Sequence, residues 1–217
     1  MRKKKRKFLF IGLVLVLAFI IWTILVRFLD VKNIGPQESN VGFADLNGYV
    51  HNIIGVNMFL YTITDWLGLV PIAIAFAFAV LGLIQLCKRK AIFKVDKSIL
   101  ILGLFYTAVI FVYILFEVLV INYRPVLING YLEASYPSST TMLVMCVMPS
   151  AIVEISMRVK HNLFKKILMF TIIMFIAFMV IGRIISGVHW LSDIIGATLI
   201  SSGLVMIYYS FMLDFKK

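Results

Sequence analysis

Three polar stretches in an otherwise apolar sequence carry residue types suited to binding and attacking a phosphate group. They are "NYRP" at 122–125, "YPSSTT" at 136–141 and "GRIISGVHWLSD" at 182–193. Together they supply Arg124 and Arg183, a run of hydroxyl side chains, and a histidine with an aspartate. A guanidinium group presents forked donors that match phosphate oxygens, and a neutral imidazole is a nucleophile. The residue types therefore indicate phosphoryl transfer.

His189 and Asp193 are four residues apart. If the last helix starts near His189, both side chains project from one face, and Asp193 leans back toward the histidine. The carboxylate would then bind one imidazole nitrogen and leave the other free to attack phosphorus. The alternative is a His–Asp hydrogen bond at the membrane interface that only anchors the helix.

The hydroxyl run opens an apolar stretch and is typical of a helix start. Ser and Thr are common N-caps, and the free backbone amides of a first helical turn bind anions. We predict that Ser138, Ser139 and Thr140 lie at a phosphate site, with the amides of Ser139 and Thr140 holding phosphoryl oxygens. The alternative for this run is a plain capping sequence. The alternative for Arg124 and Arg183 is that each side chain reaches for lipid head groups.

The composition predicts an all-α polytopic membrane protein. Hydrophobic residues make up 62% of the 217 residues and charged ones 14%, with a mean hydropathy of +1.03. In soluble domains about 45–50% of residues are apolar and about 25% are charged. A spanning helix needs about 20 apolar residues, and we predict one domain over 1–217. Its six spans are 8–29, 67–87, 99–121, 141–157, 164–182 and 189–212.

Charge along the chain predicts the orientation of these spans. Of the 21 lysines and arginines, 17 fall at the termini and in the loops on the termini's side, including Lys216 and Lys217. By the positive-inside rule the termini are cytoplasmic, and 30–66, 122–140 and 183–188 face outward. The net charge of +11 follows this pattern, so no nucleic-acid partner is expected. We predict a multi-pass protein of the cell membrane.

Two further segments bear on the architecture. The basic start, 2–7, precedes an apolar run too long for a signal peptide, so we expect a retained anchor. Residues 30–66 mix apolar residues with Gly, Asn and Asp, which predicts one or two helices along the outer interface. That segment would cover or gate a site, or serve as a structural cap. Cys87 and Cys146 have no ligand-like spacing and predict neither a disulfide nor a zinc site.

The three stretches resemble the motifs of the type 2 phosphatidic acid phosphatase family, the membrane branch of the fold shared with vanadium haloperoxidases. The family's third motif is Ser-Arg, five residues, His, three residues, Asp. Arg183, His189 and Asp193 match this spacing, and Gly182 replaces the serine. The resemblance covers a motif region at 117–193, and the six-span plan extends it over most of the chain.

The first two motifs depart from the family pattern. The family's first motif is a lysine, then six residues, then Arg-Pro. Arg124 and the proline after it match this motif, but Glu117 stands at the lysine position. In Pro-Ser-Gly-His, the proline and Ser138 are kept, but Ser139 and Thr140 replace Gly-His. That lysine helps to neutralise phosphate in the family, and that histidine protonates the leaving group. Glu117 would either pair with Arg124 or repel the phosphate.

The resemblance implies a lipid phosphatase or diphosphatase acting at the outer face. His189 would form a phosphohistidine that water hydrolyses, and because phosphoryl transfer rests on positioning and charge, no metal or cofactor is expected. A threonine hydroxyl is a weak acid, and a positioned general acid contributes about 10²–10⁴-fold. We therefore expect Thr140 to favour lipid diphosphates, such as a polyprenyl diphosphate, whose leaving group needs little protonation. His51 is a minor alternative source of the proton.

Three other functions stay open at this point. The phosphohistidine could pass its phosphoryl group to another acceptor, which would make the protein a lipid phosphotransferase. Loss of two motif residues also allows a catalytically degenerate protein that binds phosphorylated lipid without hydrolysing it. A transporter is less favoured, because the centres of the spans are almost free of ionisable residues.

Overall fold

The computed structural model describes residues 2–215, and this part of the chain contains eight α-helices. The long apolar runs are helical because a helix satisfies its own backbone hydrogen bonds. Two short 3₁₀ turns, Pro36–Glu38 and Ile92–Lys94, lie between them. The α-helices are α1 (Arg2–Phe28), α2 (Ala44–Ile54), α3 (Met58–Leu67), α4 (Leu69–Arg89), α5 (Lys97–Val118), α6 (Ser139–Arg158), α7 (Asn162–Ile185) and α8 (Leu191–Met212).

Six helical segments of the described chain are long and apolar enough to cross a membrane. This confirms the predicted all-α architecture with six spans. The second segment, Met58–Arg89, joins α3 to α4 at Gly68 and has 32 residues. At about 1.5 Å per residue it is roughly 48 Å long, so it exceeds a hydrocarbon core of about 30 Å.

Several boundaries differ from the prediction. The third span ends at Val118 rather than 121, α6 begins at Ser139, and α8 begins at Leu191 rather than near His189. Segment 30–66 contains two helices, α2 and α3, but α3 continues into the second span instead of forming a separate surface helix. Lys216 and Lys217 lie outside the described residues.

Helices α1 and α8 pack against each other and approach closely at two glycines, Gly12 and Gly203. A Cβ on Gly12 would lie 2.8 Å from the carbonyl oxygen of Gly203, and one on Gly203 would lie 3.1 Å from that of Gly12. Small residues at a crossing let two membrane helices approach and gain van der Waals contact. Trp22 of α1 adds a hydrogen bond to the carbonyl of Ser192, 3.1 Å away. α1 thereby supports the beginning of α8.

The segment before α3 is fixed to the same end of α8. Asn47 of α2 is fully buried, accepts a hydrogen bond from the backbone N of Ser192 at 3.1 Å and donates to its hydroxyl at 2.9 Å. Gly187 has a φ of +66°, and a Cβ there would lie 1.9 Å from the carbonyl oxygen of Gly55. Only glycine fits this close approach. α2 and α3 are thus held against the link between α7 and α8.

The opposite end of the bundle holds a second polar cluster. Glu154 of α6 is fully buried and accepts hydrogen bonds from Arg158 Nε at 2.9 Å and from Ser98 and Tyr208 at 3.3 Å. Arg158 also reaches Asp96, 3.4 Å away. Each partner satisfies a polar group that would be costly to bury alone, so this cluster ties α5, α6 and α8 together.

Candidate active site

The histidine and both arginines predicted from the sequence meet at one end of the bundle. His189 Nε2 lies 3.3 Å from an Nη atom of Arg124 and 3.2 Å from one of Arg183. All three side chains are buried, and Arg183 is only 1% exposed. The geometry therefore centres on one ring nitrogen between two guanidinium groups.

The protonation state of His189 follows from these neighbours. A guanidinium only donates hydrogen bonds, so Nε2 must present its lone pair, and the proton of a neutral ring sits on Nδ1. Burial lowers the pKa of His189 well below its ordinary 6.5, and the positive charges of Arg124 and Arg183 lower it further. The imidazole is thus a neutral base whose Nε2 lone pair faces both guanidinium groups.

Arg124 is carried by an irregular loop that follows α5 and folds back on itself. Its backbone N donates to the carbonyl of Glu133 at 3.0 Å, and its Nε lies 3.0 Å from the Glu133 carboxylate. Pro125 follows directly, and a residue before proline is restricted to extended conformations. Arg124 therefore lies on a loop and not on the helix that carries Glu117.

The acid beside Arg124 is Glu133 rather than Glu117. Glu117 is exposed near the end of α5, which stops at Val118. Of the two roles left open for Glu117, pairing with Arg124 is not seen among the described ion pairs, because the chain leaves the helix before it reaches the arginine. Repulsion of the phosphate stays a prediction. Glu133 was not identified from the sequence, because it lies nine positions after Arg124 and reaches it only where the loop folds back on itself.

Arg183 is enclosed by α3. One Nη atom lies 3.4 Å from the hydroxyl of Thr64 and 3.8 Å from the carboxylate of Asp65. The ring of Tyr61 faces both guanidinium groups, 5.0 Å from Arg183 Cζ and 5.9 Å from Arg124 Cζ. Segment 30–66 was expected to cover a site or to cap the fold, and it contacts both arginines. The sequence offered no signal that singled out these three α3 residues.

Gly182 is placed directly against α3. A Cβ at this position would lie 2.7 Å from Cγ2 of Thr64, which is closer than real Cβ contacts come. The glycine that replaces the family's serine therefore makes room for Thr64, whose hydroxyl lies beside Arg183. The departure from the third motif has a steric reason in this chain.

Asp193 lies close to His189 without bonding to it. Its Oδ2 is 3.7 Å from His189 Nδ1, which is too far for a hydrogen bond. The same carboxylate accepts hydrogen bonds from the backbone N of Trp190 at 3.0 Å and from the hydroxyl of Ser135 at 2.5 Å. Because α8 begins at Leu191, His189 precedes the helix and Asp193 caps it. The prediction that His189 and Asp193 project from one face of the last helix is therefore wrong.

The start of α6 adjoins the start of α8. The backbone N of Ser138 donates to the carbonyl of Asp193 at 3.2 Å, and the Ser138 hydroxyl donates to that of Thr141 at 3.0 Å. No side chain caps the first turn of α6, so its amides remain available as anion donors. Ser139 and Thr140 have no direct contact with His189 among the described hydrogen bonds, and they face a groove instead.

This groove runs between α4, α5 and α6 and has a volume of about 550 Å³. Its polar end carries Asp65, Ser139 and Thr140, and the rest of its lining is mainly apolar. His189 lines a separate small cavity beside His51 and Trp190. His51 packs on the Trp190 ring at 5.3 Å, and burial lowers its pKa. Within residues 2–215, no three His, Cys, Asp or Glu side chains cluster as metal ligands would.

Comparison with known proteins agrees with the motif resemblance. The sequence model of the PAP2 superfamily matches residues 117–217, which contain all three motif stretches, and the predicted resemblance is confirmed. The fold is similar to the crystal structure of a transmembrane PAP2-type phosphatidylglycerolphosphate phosphatase from Bacillus subtilis, with a TM-score of 0.53. The two sequences are 19% identical over 94% of this chain and 95% of that one, so the likeness concerns the fold. No curated protein matches the sequence.

Proposed function

We propose that this chain is a membrane phosphatase of the PAP2 type, which its match to that superfamily's model over residues 117–217 supports, and that it hydrolyses a phosphorylated lipid through a phosphohistidine formed on His189. The observation that carries the proposal is the lone pair of His189 Nε2, which faces Arg124 and Arg183 at 3.3 and 3.2 Å. A phosphoryl group that replaced these contacts would be held by both guanidinium groups with its phosphorus next to the nucleophile.

The reaction needs little covalent help from the protein beyond this nucleophile. The forks of Arg124 and Arg183 bind phosphoryl oxygens, and the uncapped amides of Ser139 and Thr140 add donors from the start of α6. Nε2 attacks phosphorus as the bond to the leaving group breaks, and water then hydrolyses the phosphohistidine. Asp193 acts as a positioning residue, because it fixes the turn before α8 and places negative charge near Nδ1.

The groove supports a lipid as the substrate. Its apolar lining reaches down α4, α5 and α6 from the polar end at Ser139 and Thr140. A lipid tail would lie in this groove with its phosphate at the start of α6. The distribution of lysine and arginine assigns that end to the outer face of the membrane, so we propose cytoplasmic termini and an outward-facing active site.

Among phosphorylated lipids, we propose that diphosphates are favoured. Thr140 stands where the family pattern has a histidine that protonates the leaving group. The leaving group of a diphosphate is itself a phosphate and needs little protonation, whereas a phosphomonoester must expel an alkoxide. Phosphatidic acid turned over faster than any diphosphate in a substrate panel would contradict this preference.

The test is phosphate release by the purified, detergent-solubilised protein from a polyprenyl diphosphate and from phosphatidic acid. We expect His189→Ala to lower the rate by at least about 10³-fold, and radiolabelled phosphate to be trapped on His189 in the wild type. Release that survives in His189→Ala would exclude this nucleophile. Wild-type protein that binds both lipids but releases phosphate from neither would instead favour a degenerate lipid-binding protein.

A further inference from the structure

The proposed reaction lacks an evident general acid, and the residues around Thr140 suggest where one lies. A Cβ on Gly68, at the junction of α3 and α4, would lie 3.4 Å from Cγ2 of Thr140. The backbone N of Gly68 also donates to the carbonyl of Asp65 at 3.0 Å. The turn that carries Asp65 is therefore packed beside the position where the family pattern has its acid.

From this packing and the contacts of Arg183, we infer that Asp65 is the general acid that protonates the leaving oxygen and later accepts the proton of the attacking water. The inference rests on the proposed function and adds a catalytic residue to it. Asp65 lies outside the three motifs, on a helix that the motif region does not include.

The geometry of Arg183 supports this assignment. One Nη atom lies 3.2 Å from the nucleophilic Nε2 of His189, and the other lies 3.8 Å from Asp65 Oδ1. His189 and Asp65 thus approach opposite arms of one guanidinium fork. In-line displacement requires the nucleophile and the leaving oxygen on opposite sides of phosphorus. A phosphoryl group on this fork would have His189 on one side and Asp65 on the other.

The groove gives the same direction for the leaving group. Asp65 lines its polar end together with Ser139 and Thr140, whereas His189 lines a different cavity. The leaving oxygen joins phosphorus to the lipid tail. With the tail in the groove, this oxygen would lie on the side of phosphorus that faces Asp65. The carboxyl group is 54% exposed and is free to reach it.

The bond changes balance with Asp65 as the proton donor and acceptor. In the first step the Nε2–P bond forms, the P–O bond to the lipid breaks, and the leaving oxygen takes the Asp65 proton. In the second step water attacks phosphorus, its proton passes to Asp65, and the N–P bond breaks to release phosphate.

Two other side chains near the arginines are rivals for this role. Glu133 is ion-paired to Arg124 on the loop after α5 and is not among the residues that line the groove. Tyr61 faces both guanidinium groups with its ring. Glu133→Gln and Tyr61→Phe are therefore matched comparisons for Asp65→Asn, since each removes one ionisable group at similar size.

The experiment measures kcat for farnesyl phosphate and farnesyl diphosphate, which share a tail and differ in leaving group. We expect Asp65→Asn to lower kcat for the monophosphate by about 10²–10⁴-fold and for the diphosphate by less than about 10-fold. Asp65→Glu should recover part of the monophosphate rate. Glu133→Gln should change both substrates by a similar factor. Thermal unfolding in the same detergent verifies that each variant is folded.

Three results would overturn the inference and leave the proposed function in place. They are an equal loss on both substrates in Asp65→Asn, a loss selective for the monophosphate in Tyr61→Phe or Glu133→Gln instead, and a wild type that hydrolyses only the diphosphate. A wild type that releases phosphate from neither lipid would overturn the proposed function itself.

Discussion

Asp193 Oδ2 lies 3.7 Å from His189 Nδ1 while accepting hydrogen bonds from the Trp190 backbone and the Ser135 hydroxyl. One carboxylate therefore caps α8 and stands near the imidazole that precedes it. Its charge would stabilise the ring when Nε2 becomes bonded to phosphorus. The two effects, on the fold and on the reaction, are separable by substitution.

Asp193→Asn should reduce both activity and stability. The amide keeps one oxygen acceptor but loses the charge, so we expect kcat to fall about 10–100-fold and the free energy of unfolding to fall by about 1–3 kcal/mol. Ser135→Ala removes one hydrogen bond and keeps the charge, so it should cost stability with a smaller loss of kcat. Full activity in a destabilised Asp193→Asn protein would limit Asp193 to a capping role.

The pH dependence of kcat/KM should report the depressed pKa of His189. Burial and the two arginines lower this pKa below 6.5, so the proposed nucleophile should stay neutral and active to a lower pH than an ordinary histidine. Arg124→Gln removes one of these positive charges, which should raise the pKa and move the acid limb to higher pH. The nearby carboxylate of Asp193 is unchanged in this variant. An acid limb that stays fixed would assign the titration to another group.

Arg183→Lys should impair the reaction although it keeps the charge. A single ammonium group cannot reach His189, Thr64 and Asp65 as the two arms of the buried guanidinium do. We expect kcat/KM to fall about 10²-fold, comparable to removing one preorganised donor. Arg27→Lys, at an exposed position of α1 outside the site, is the matched control and should leave kcat/KM unchanged.

Gly182→Ala should destabilise the protein through Thr64. The new Cβ would lie 2.7 Å from Thr64 Cγ2, and overpacking of this kind costs about 1–3 kcal/mol. Thr64→Ser removes that methyl group and keeps the hydroxyl beside Arg183, so Gly182→Ala should be tolerated in the Thr64→Ser background. Thermal unfolding of the four proteins gives a double-mutant cycle. Additive effects would show that the two positions do not clash.

Glu154→Ala should lower stability and spare the chemistry. It removes the acceptor shared by Arg158, Ser98 and Tyr208 at the end of the bundle opposite His189. Leaving these groups without a partner should cost about 1–3 kcal/mol in the free energy of unfolding. Phosphate release measured well below the unfolding temperature should match the wild type. A change in kcat under those conditions would indicate coupling between the two ends.

The sequence by itself determined the elements and the reactive residue types. Lipid leaves backbone groups no partner outside the helix, so each long apolar run specifies a span regardless of its neighbours. The spacing of Arg183, His189 and Asp193 likewise carried the family resemblance. Because chain direction alternates at each span, charge counting also assigned the three motif stretches to one face.

Only the tertiary structure decided which side chains complete the site. Asp65 and Thr64 reach Arg183 across 118 and 119 positions of sequence, and Glu133 rather than Glu117 pairs with Arg124. These partners depend on how α3 packs against α7 and how the loop after α5 folds. Local patterns of apolar and polar residues do not encode such contacts, because each one is set by the fit between distant surfaces.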